Sequence, residues 1–170
     1  MMRLLQFMLL TVVLSLGSQA YAQEEAPLTD EEITRYANLM LFADAEKEAM
    51  KERYNEWIQS NETLEAQRFV DIKAAEGDEA KLAELAVTEE EMAAFTAIQE
   101  RYDNMVAAFK EEYTAMIKDD EQVGVSLYNR MRKELKGDEE LEARYDAIYA
   151  ELVARQEVAS EADAEGSEGN

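Results

Sequence analysis

The feature that most constrains the fold of this 170-residue chain is an internal repeat. Residues 28–62 align without a gap with residues 87–121 when the sequence is shifted by 59 positions, and ten of the 35 aligned pairs are identical. With one inserted residue the likeness continues to the pair Gly77 and Gly137. Because a fixed period is typical of repeated supersecondary units, the sequence predicts a duplication, with repeat 1 at residues 28–86 and repeat 2 at residues 87–157.

Each repeat opens with a helix-start signal. Thr29 is followed three residues later by Glu32, and Thr88 by Glu91. In such a capping box the hydroxyl and the carboxylate each accept a hydrogen bond from a free backbone N–H of the first turn. Each box is flanked by two apolar residues able to form a hydrophobic staple: Leu28 with Ile33, and Val87 with Met92. Two long helices are therefore predicted to begin at these threonines.

An apolar stripe follows each start, with spacings of three and four residues that keep it on one helix face. In repeat 1 the stripe is Ile33, Tyr36, Met40, Ala43, Lys47, Met50, Tyr54 and Trp57, and in repeat 2 it is Met92, Phe95, Gln99, Tyr102, Val106, Phe109, Tyr113 and Met116. Lys47 and Gln99 are its polar exceptions. The stripes predict two helices of about 30 residues that pack side by side like a coiled coil. The expected fold is all-α, an antiparallel helical bundle of these two helices and several shorter ones.

The shorter helices are predicted from apolar spacing and from breakers. A second helix is expected near residues 64–76, with Phe69 and Ile72 inward, and another near residues 126–136, with Ser126 as N-cap and three apolar residues inward: Leu127, Met131 and Leu135. Gly77 and Gly137 fit the C′ position that ends a helix.

A third segment in each repeat should begin at Asp78 or Asp138, which can act as N-caps. It is expected to end by residue 86 in repeat 1 and near residue 157 in repeat 2. Residues 158–170 have no large apolar residue after Val158, and such a segment buries too little surface to order itself. The sequence therefore predicts a disordered acidic tail.

The N-terminus has the pattern of an export signal. Arg3 precedes an apolar run at residues 4–16, and the small-x-small sequence at residues 20–22 is typical of a cleavage site. The prediction is a signal peptide at residues 1–22, a short linker at residues 23–27, and a periplasmic or secreted protein. A membrane anchor is the less favoured alternative, because the run is shorter than the ~20 residues that a span needs. Removal of residues 1–22 changes the net charge from −22 to −23, which argues against nucleic-acid binding.

The composition excludes several chemistries. With no His and no Cys, the chain lacks the usual nucleophilic triads and zinc ligand sets. It also lacks a glycine-rich phosphate loop. Two acidic clusters, residues 119–121 and 138–140, could attract calcium, but they lack the alternating ligand spacing of a calcium loop. We predict no enzyme activity, no catalytic, cofactor-binding or metal-ligating residues, no cofactor and no evident small-molecule substrate.

Several motifs together resemble a known family. They are the capping boxes with Tyr36 and Phe95, the turn Gly124-Val125-Ser126 before Tyr128-Asn129, and the run Asp138-Glu139-Glu140-Leu141. Over about residues 28–150 the chain is similar to the bacterial domain of unknown function 4168, here as a tandem duplication. The resemblance implies an exported helical protein and no assigned activity. A weaker similarity joins the start at Leu28 to small periplasmic helical chaperones of the Spy type.

Three functions follow as hypotheses. The favoured one is an exported, non-enzymatic helical protein that binds other proteins or self-associates. The first alternative is a periplasmic holdase-type chaperone, which would need an exposed apolar face. The second is a weak divalent-cation-binding protein, since the chain has 39 acidic residues.

Overall fold

The computed structural model describes residues 26–167, and six α-helices without any strand make up this part of the chain. The two long helices are α1 (Asp30–Gln59) and α4 (Glu89–Lys118). The four others are α2 (Ala66–Ala74), α3 (Glu79–Glu84), α5 (Val125–Glu134) and α6 (Glu139–Ser167). The all-α fold class is confirmed. The predicted signal peptide at residues 1–22 lies outside the described residues, as do residues 23–25 of the predicted linker.

Both predicted capping boxes are present. The backbone N–H of Glu32 donates to the Thr29 hydroxyl at 3.2 Å, and the Thr29 N–H donates to the Glu32 carboxylate at 2.8 Å. The corresponding distances for Glu91 and Thr88 are 3.1 and 2.8 Å. Each box satisfies two backbone groups that a helix end would otherwise leave unpaired. Thr29 and Thr88 are the N-caps of α1 and α4, as predicted.

The long helices α1 and α4 run antiparallel beside each other. Near one end, the Arg35 guanidinium of α1 donates to the Asp120 carbonyl just after α4. At the middle, the rings of Phe42 and Phe109 stack with centroids 6.1 Å apart. Near the other end, the Tyr54 hydroxyl of α1 donates to the Gln99 side chain of α4 at 2.5 Å. Contacts therefore join the beginning of each helix to the end of the other.

The buried side chains form two separate cores, one at each end of the α1–α4 pair. The Tyr36 core joins the start of α1 to the end of α4, α5 and the start of α6, and its buried members are Leu28, Ile33, Tyr36, Leu39, Val123, Leu127, Met131 and Leu141. The Phe95 core joins the end of α1 to α2, α3 and the start of α4, and its buried members are Leu64, Phe69, Ile72, Phe95 and Ile98. Each core is closed by the helices that follow one member of the α1–α4 pair: α2 and α3 follow α1, and α5 and α6 follow α4.

The buried face of each long helix differs from the predicted stripe at several positions. Leu39 and Ile98, which correspond under the 59-residue shift and lie off both stripes, are only 0% and 2% exposed. Leu39 is covered in the Tyr36 core and Ile98 in the Phe95 core, because a helix with several neighbours buries more than a heptad seam. Lys47 was assigned to the stripe, but its side chain is exposed and pairs with Asp44 at 3.1 Å. The stripe is therefore interrupted between the two cores.

The shorter helices begin and end close to the predicted positions, with one cap corrected. Ser126 is not the N-cap of α5: Gly124 occupies that position with φ 81°, and α5 already begins at Val125. A glycine is needed there because this φ is left-handed and a Cβ would lie 2.6 Å from a carboxylate oxygen of Asp120. The predicted caps Asp78 and Asp138 are confirmed, since each accepts a backbone hydrogen bond from the first turn that follows.

The last helix is longer than predicted. The sequence predicts that this helix ends near residue 157 and that a disordered tail follows. In the structure α6 continues to Ser167. Residues 158–165 consist largely of Ala and Glu, with no Gly or Pro, and these residue types favour helix even without a buried face. The prediction assumed that a segment without apolar residues is disordered. The helix propensity of these residues instead extends α6 beyond its packed turns. Residues 168–170 lie outside the described part.

Candidate functional site

The acidic clusters considered as cation sites are engaged in local turns. The Asp119 carboxylate accepts hydrogen bonds from the Glu121 backbone at 2.9 Å and from the Gln122 side chain at 3.1 Å. Asp138 accepts from the Leu141 backbone at 3.0 Å and so caps α6. Throughout residues 26–167, no three acidic side chains converge in a way that could hold a metal ion. These carboxylates have structural partners rather than a shared ligand position.

The most strongly perturbed carboxyl belongs to a capping box. Arg68 of α2 donates from Nε and Nη2 to the two carboxylate oxygens of Glu91, at 2.8 and 3.0 Å, and also to the Leu85 carbonyl at 2.8 Å. The Arg68 hydrogen bond and the Thr88 backbone N–H lower the pKa of Glu91 from its ordinary value of 4.5 to about 2. Bidentate pairs of this kind hold both groups in one orientation. Glu91 therefore stays ionised at neutral pH and cannot donate a proton.

The other carboxyls with a shifted pKa move in the same direction. The Thr29 backbone N–H is the largest cause of the lowered pKa of Glu32, and contacts with Lys81 lower the pKa of Asp78. A general acid that works near neutral pH needs a carboxyl whose pKa is raised. In the described part of the chain, the shifted pKa values of Glu32, Asp78 and Glu91 result from hydrogen bonds to basic side chains and to capped backbone N–H groups, and both favour the ionised form.

The segment before α1 is held by two arginines from the second half of the chain. Arg130 of α5 donates to the Ala26 carbonyl, and Arg144 of α6 donates to the Leu28 carbonyl at 3.0 Å and to Asp30 at 2.5 Å. A cavity of about 260 Å³ lies beside this segment, between it and the turn that joins α5 to α6. As Arg68 does before α4, these arginines fix the chain as it enters a long helix.

A second cavity, of about 270 Å³, lies where the loop after α4 meets α1. Its lining residues are Arg35, Asn38, Leu39, Met116, Glu121, Gln122 and Val123. The Arg35 guanidinium donates to the Asp120 carbonyl at 2.9 Å, while its Nε is buried without a partner. The cavity offers hydrogen-bond donors beside the apolar side chains of Leu39, Met116 and Val123.

Five tyrosines form a continuous aromatic group, which we call the tyrosine cluster: Tyr36, Tyr113, Tyr128, Tyr145 and Tyr149. Neighbouring ring centroids lie 5.8 to 6.3 Å apart. At one end the Tyr113 and Tyr128 hydroxyls are 3.4 Å apart, and at the other the Tyr149 hydroxyl donates to the Asp44 carboxylate at 2.9 Å. Tilted and edge-on rings at this separation attract one another beyond simple burial.

Burial changes the acidity of four phenols in the cluster, those of Tyr36, Tyr113, Tyr145 and Tyr149. Desolvation is the first cause in every case, because it disfavours the charged phenolate. It raises the pKa of Tyr145 from 10.0 to about 12, and it also raises the pKa values of Tyr36, Tyr113 and Tyr149. For Tyr149 the hydrogen bond to Asp44 adds to the effect. These four phenols are therefore protonated across the physiological range.

Few large apolar side chains are left exposed. Among the residues whose burial is described, they are Val70 on α2, Val125 on α5 and Val158 on α6. Isolated apolar residues are normal on a protein surface, whereas a binding face usually presents a contiguous patch. Between the two cores, however, Met105, Val106 and Phe109 of α4 are only half-buried.

Sequence reasoning missed the residues that link distant parts of the chain. Nothing in the local pattern singled out Arg130 or Arg144, because their acceptors are backbone carbonyls more than 100 positions away. Tyr149 was also missed, although it lies one helical turn after Tyr145 on α6. That spacing of four was the available signal.

Comparison with known proteins identifies no relative: no family model, no curated protein and no solved structure matches this chain. None of the helices found within residues 26–167 has the length and apolar character needed to cross a bilayer.

Proposed function

We propose that this chain is an exported, non-enzymatic helical protein that binds other proteins, and that its partner is positively charged. The observation that carries the proposal is the separation of apolar side chains in the cores from charged side chains on the surface. The large apolar residues are gathered in two cores, and in the described part no polar or charged residue is buried. The surface therefore carries nearly all of the excess of 39 acidic over 17 basic residues. Such a field attracts cationic partners and repels anionic ones.

The absence of enzyme activity is part of the proposal. It is supported by the lack of His and Cys in the sequence and by carboxyl pKa values that shift downward at Glu32, Asp78 and Glu91. It is supported further by the engagement of the acids at the turns in capping hydrogen bonds. An active-site cleft that uses two carboxyl groups would instead hold them close together, with pKa values that differ from each other.

A positively charged partner accounts for the surface better than self-association does. Two copies, each with a net charge near −22, repel each other at low ionic strength, and salt relieves that repulsion. Self-association would therefore increase with salt, whereas binding to a cationic partner would decrease. Sedimentation across a salt series separates these two forms of the hypothesis.

The architecture also supports the proposed duplication and the proposed antiparallel bundle. Tyr54 meets Phe69 at an interplanar angle of 82°, and the corresponding pair Tyr113 and Tyr128 also meets at 82°. These paired contacts extend the capping-box similarity from sequence to packing. Membership of the domain of unknown function 4168 family is proposed on the same motifs.

The binding proposal is tested with charge-matched probes. A fluorescent lysine-rich peptide is titrated with the full chain at low and at physiological salt, and its glutamate-rich counterpart serves as the control. We expect saturable binding of the lysine-rich peptide alone, weakening as salt rises. No binding of the cationic probe at low salt would refute the proposal. Export is tested separately by N-terminal sequencing of the secreted product, for which we expect a start at Gln23.

The holdase alternative has one structural observation in its favour, the half-buried residues Met105, Val106 and Phe109 between the cores. Aggregation of an unfolded client would distinguish it. Suppression that persists at high salt and is lost in Phe109→Glu indicates apolar capture of the client. Absence of suppression at several-fold molar excess excludes that role. For the cation-binding alternative, calorimetry without saturable calcium binding at physiological salt is the corresponding negative result.

A further inference from the structure

The tyrosine cluster has one member whose hydroxyl contacts a carboxylate. The Tyr149 hydroxyl donates to one oxygen of Asp44 at 2.9 Å, and Lys47 holds the other oxygen at 3.1 Å. Elsewhere in the described part, Tyr54 donates to an amide oxygen of Gln99, and Tyr113 lies against another phenol. An amide or a phenol is a poor proton acceptor compared with an ionised carboxylate. Tyr149 therefore differs from the other tyrosines within residues 26–167 in having a carboxylate base in contact.

We infer that Tyr149 is an oxidative modification site, at which one-electron oxidants convert the phenol to a phenoxyl radical that then couples to a second phenol. The reaction requires a base that accepts the phenol proton and access of the second phenol to the ring. Asp44 accepts the proton that the oxidised phenol releases. Tyr149 lies at the end of the tyrosine cluster on α6, where it is partly exposed.

The rest of the cluster connects the interior to this residue. Tyr149 neighbours Tyr145 at 5.8 Å, Tyr145 neighbours Tyr36 at 5.9 Å, and Tyr36 neighbours Tyr128 at 6.0 Å between ring centroids. Rings this close exchange an electron readily, so an oxidised inner ring can be reduced by its outer neighbour. The electron deficit settles at Tyr149 because only there does loss of the proton to a contacting carboxylate complete the oxidation.

The oxidant takes one electron from Tyr149, and the hydroxyl proton goes to Asp44 and then to solvent. A second phenol loses one electron and one proton in the same way. The two radicals form a carbon–carbon bond between ring positions ortho to the oxygens, and the hydrogen on each coupled carbon returns to its own oxygen. Two electrons and two protons leave in total, and one persulfate accepts the electrons on becoming two sulfates.

The experiment uses the full chain with ruthenium tris-bipyridyl, light and persulfate as the one-electron oxidant, and N-acetyltyrosinamide as the coupling phenol. Peptide mass mapping then gives the label on each tyrosine, with Tyr21 counted separately because it lies outside the described residues. We expect most of the label within residues 26–167 on Tyr149. Tyr149→Phe should lose that share, while Tyr102→Phe, which removes a half-buried phenol on α4, should leave it unchanged.

Two further variants test the role of the carboxylate. Asp44→Asn keeps a hydrogen-bond acceptor but removes the base, so labelling of Tyr149 should fall several-fold, and Asp44→Glu should restore much of it. Helical circular dichroism checks that each variant is folded. The inference is overturned if wild-type label is spread evenly over the described tyrosines, or if Asp44→Asn labels Tyr149 as efficiently as the wild type does.

Discussion

Ala86 carries a backbone strain that a single substitution should relieve. It follows α3 with φ 45°, a left-handed conformation, while the neighbouring N–H groups close the helix end: Ala86 donates to Ala83 and Val87 donates to Leu82. This is the Schellman arrangement, in which glycine is the usual residue. Arg68 also donates to the Leu85 carbonyl beside it, so the turn is held in place by a side chain from α2. The substitution Ala86→Gly should therefore stabilise the protein.

The size of the gain follows from two opposing effects. A non-glycine residue in the left-handed region destabilises the folded state by roughly 1–2 kcal/mol. The greater conformational freedom of glycine in the unfolded chain offsets about 0.4–1 kcal/mol of the stability gained by the substitution. The free energy of unfolding should rise by about 1 kcal/mol, and the midpoint of thermal unfolding by roughly 2–4 °C for a chain of this size. Urea unfolding followed by circular dichroism at the helix band measures the difference.

Gly77 offers the reciprocal control. It has φ 81°, and a Cβ built on it would meet no atom within 4 Å, so Gly77→Ala changes backbone strain without a steric clash. We expect a loss of about 1 kcal/mol there, for the same two reasons with opposite sign. If Ala86→Gly destabilises the protein, or if both substitutions shift stability in the same direction, strain at these turns does not govern their energetics.

Other predictions follow from burial and from shifted pKa values. Leu39→Ala, at a fully buried position, should lower the free energy of unfolding by about 2–5 kcal/mol, whereas Val70→Ala, at an exposed one, should change it little; chemical denaturation compares them. Because the pKa of Glu91 is lowered to about 2, its stabilising contribution is complete above pH 4.5 and is lost as the pH falls toward about 2; an acid titration of wild type against Glu91→Gln should show a shallower loss in the variant. Because the pKa of Tyr145 is raised to about 12, folding favours its neutral phenol, and the associated stability is present below pH 10 and is lost as the pH rises toward about 12. Absorbance near the phenolate band in wild type and Tyr145→Phe measures the ionisation of this phenol. Ionisation of Tyr145 near its ordinary pKa of 10.0 would contradict the prediction.

Local chemistry made parts of this fold predictable. The starts of α1 and α4 depend on residues three positions apart, such as Thr29 and Glu32, and a capping box acts within a single turn. The caps at Asp78 and Asp138 are equally local. Signals of this kind can be identified without knowing which helices will meet.

Features that depend on neighbours were harder to predict. The burial of Leu39 comes from helices that pack beside the α1 seam, and its sequence neighbours do not reveal them. Lys47 occupies a stripe position that falls between two cores, where no helix covers it. The contact between Tyr149 and Asp44 joins positions 105 residues apart, and a helical spacing on α6 could indicate only half of it.

The packing of α1 against α6 determines when the chain can complete its folding during synthesis. The first helix depends on the last one: Arg144 of α6 binds Asp30 across 114 sequence positions, and α6 is the helix that α1 contacts most. A growing chain presents α1 long before this partner exists. Until α6 emerges, the apolar side of α1 toward it has nothing to pack against, and closing so long a loop is slow. The completed fold therefore forms only after α6 has been synthesised, and truncation of α6 should affect α1.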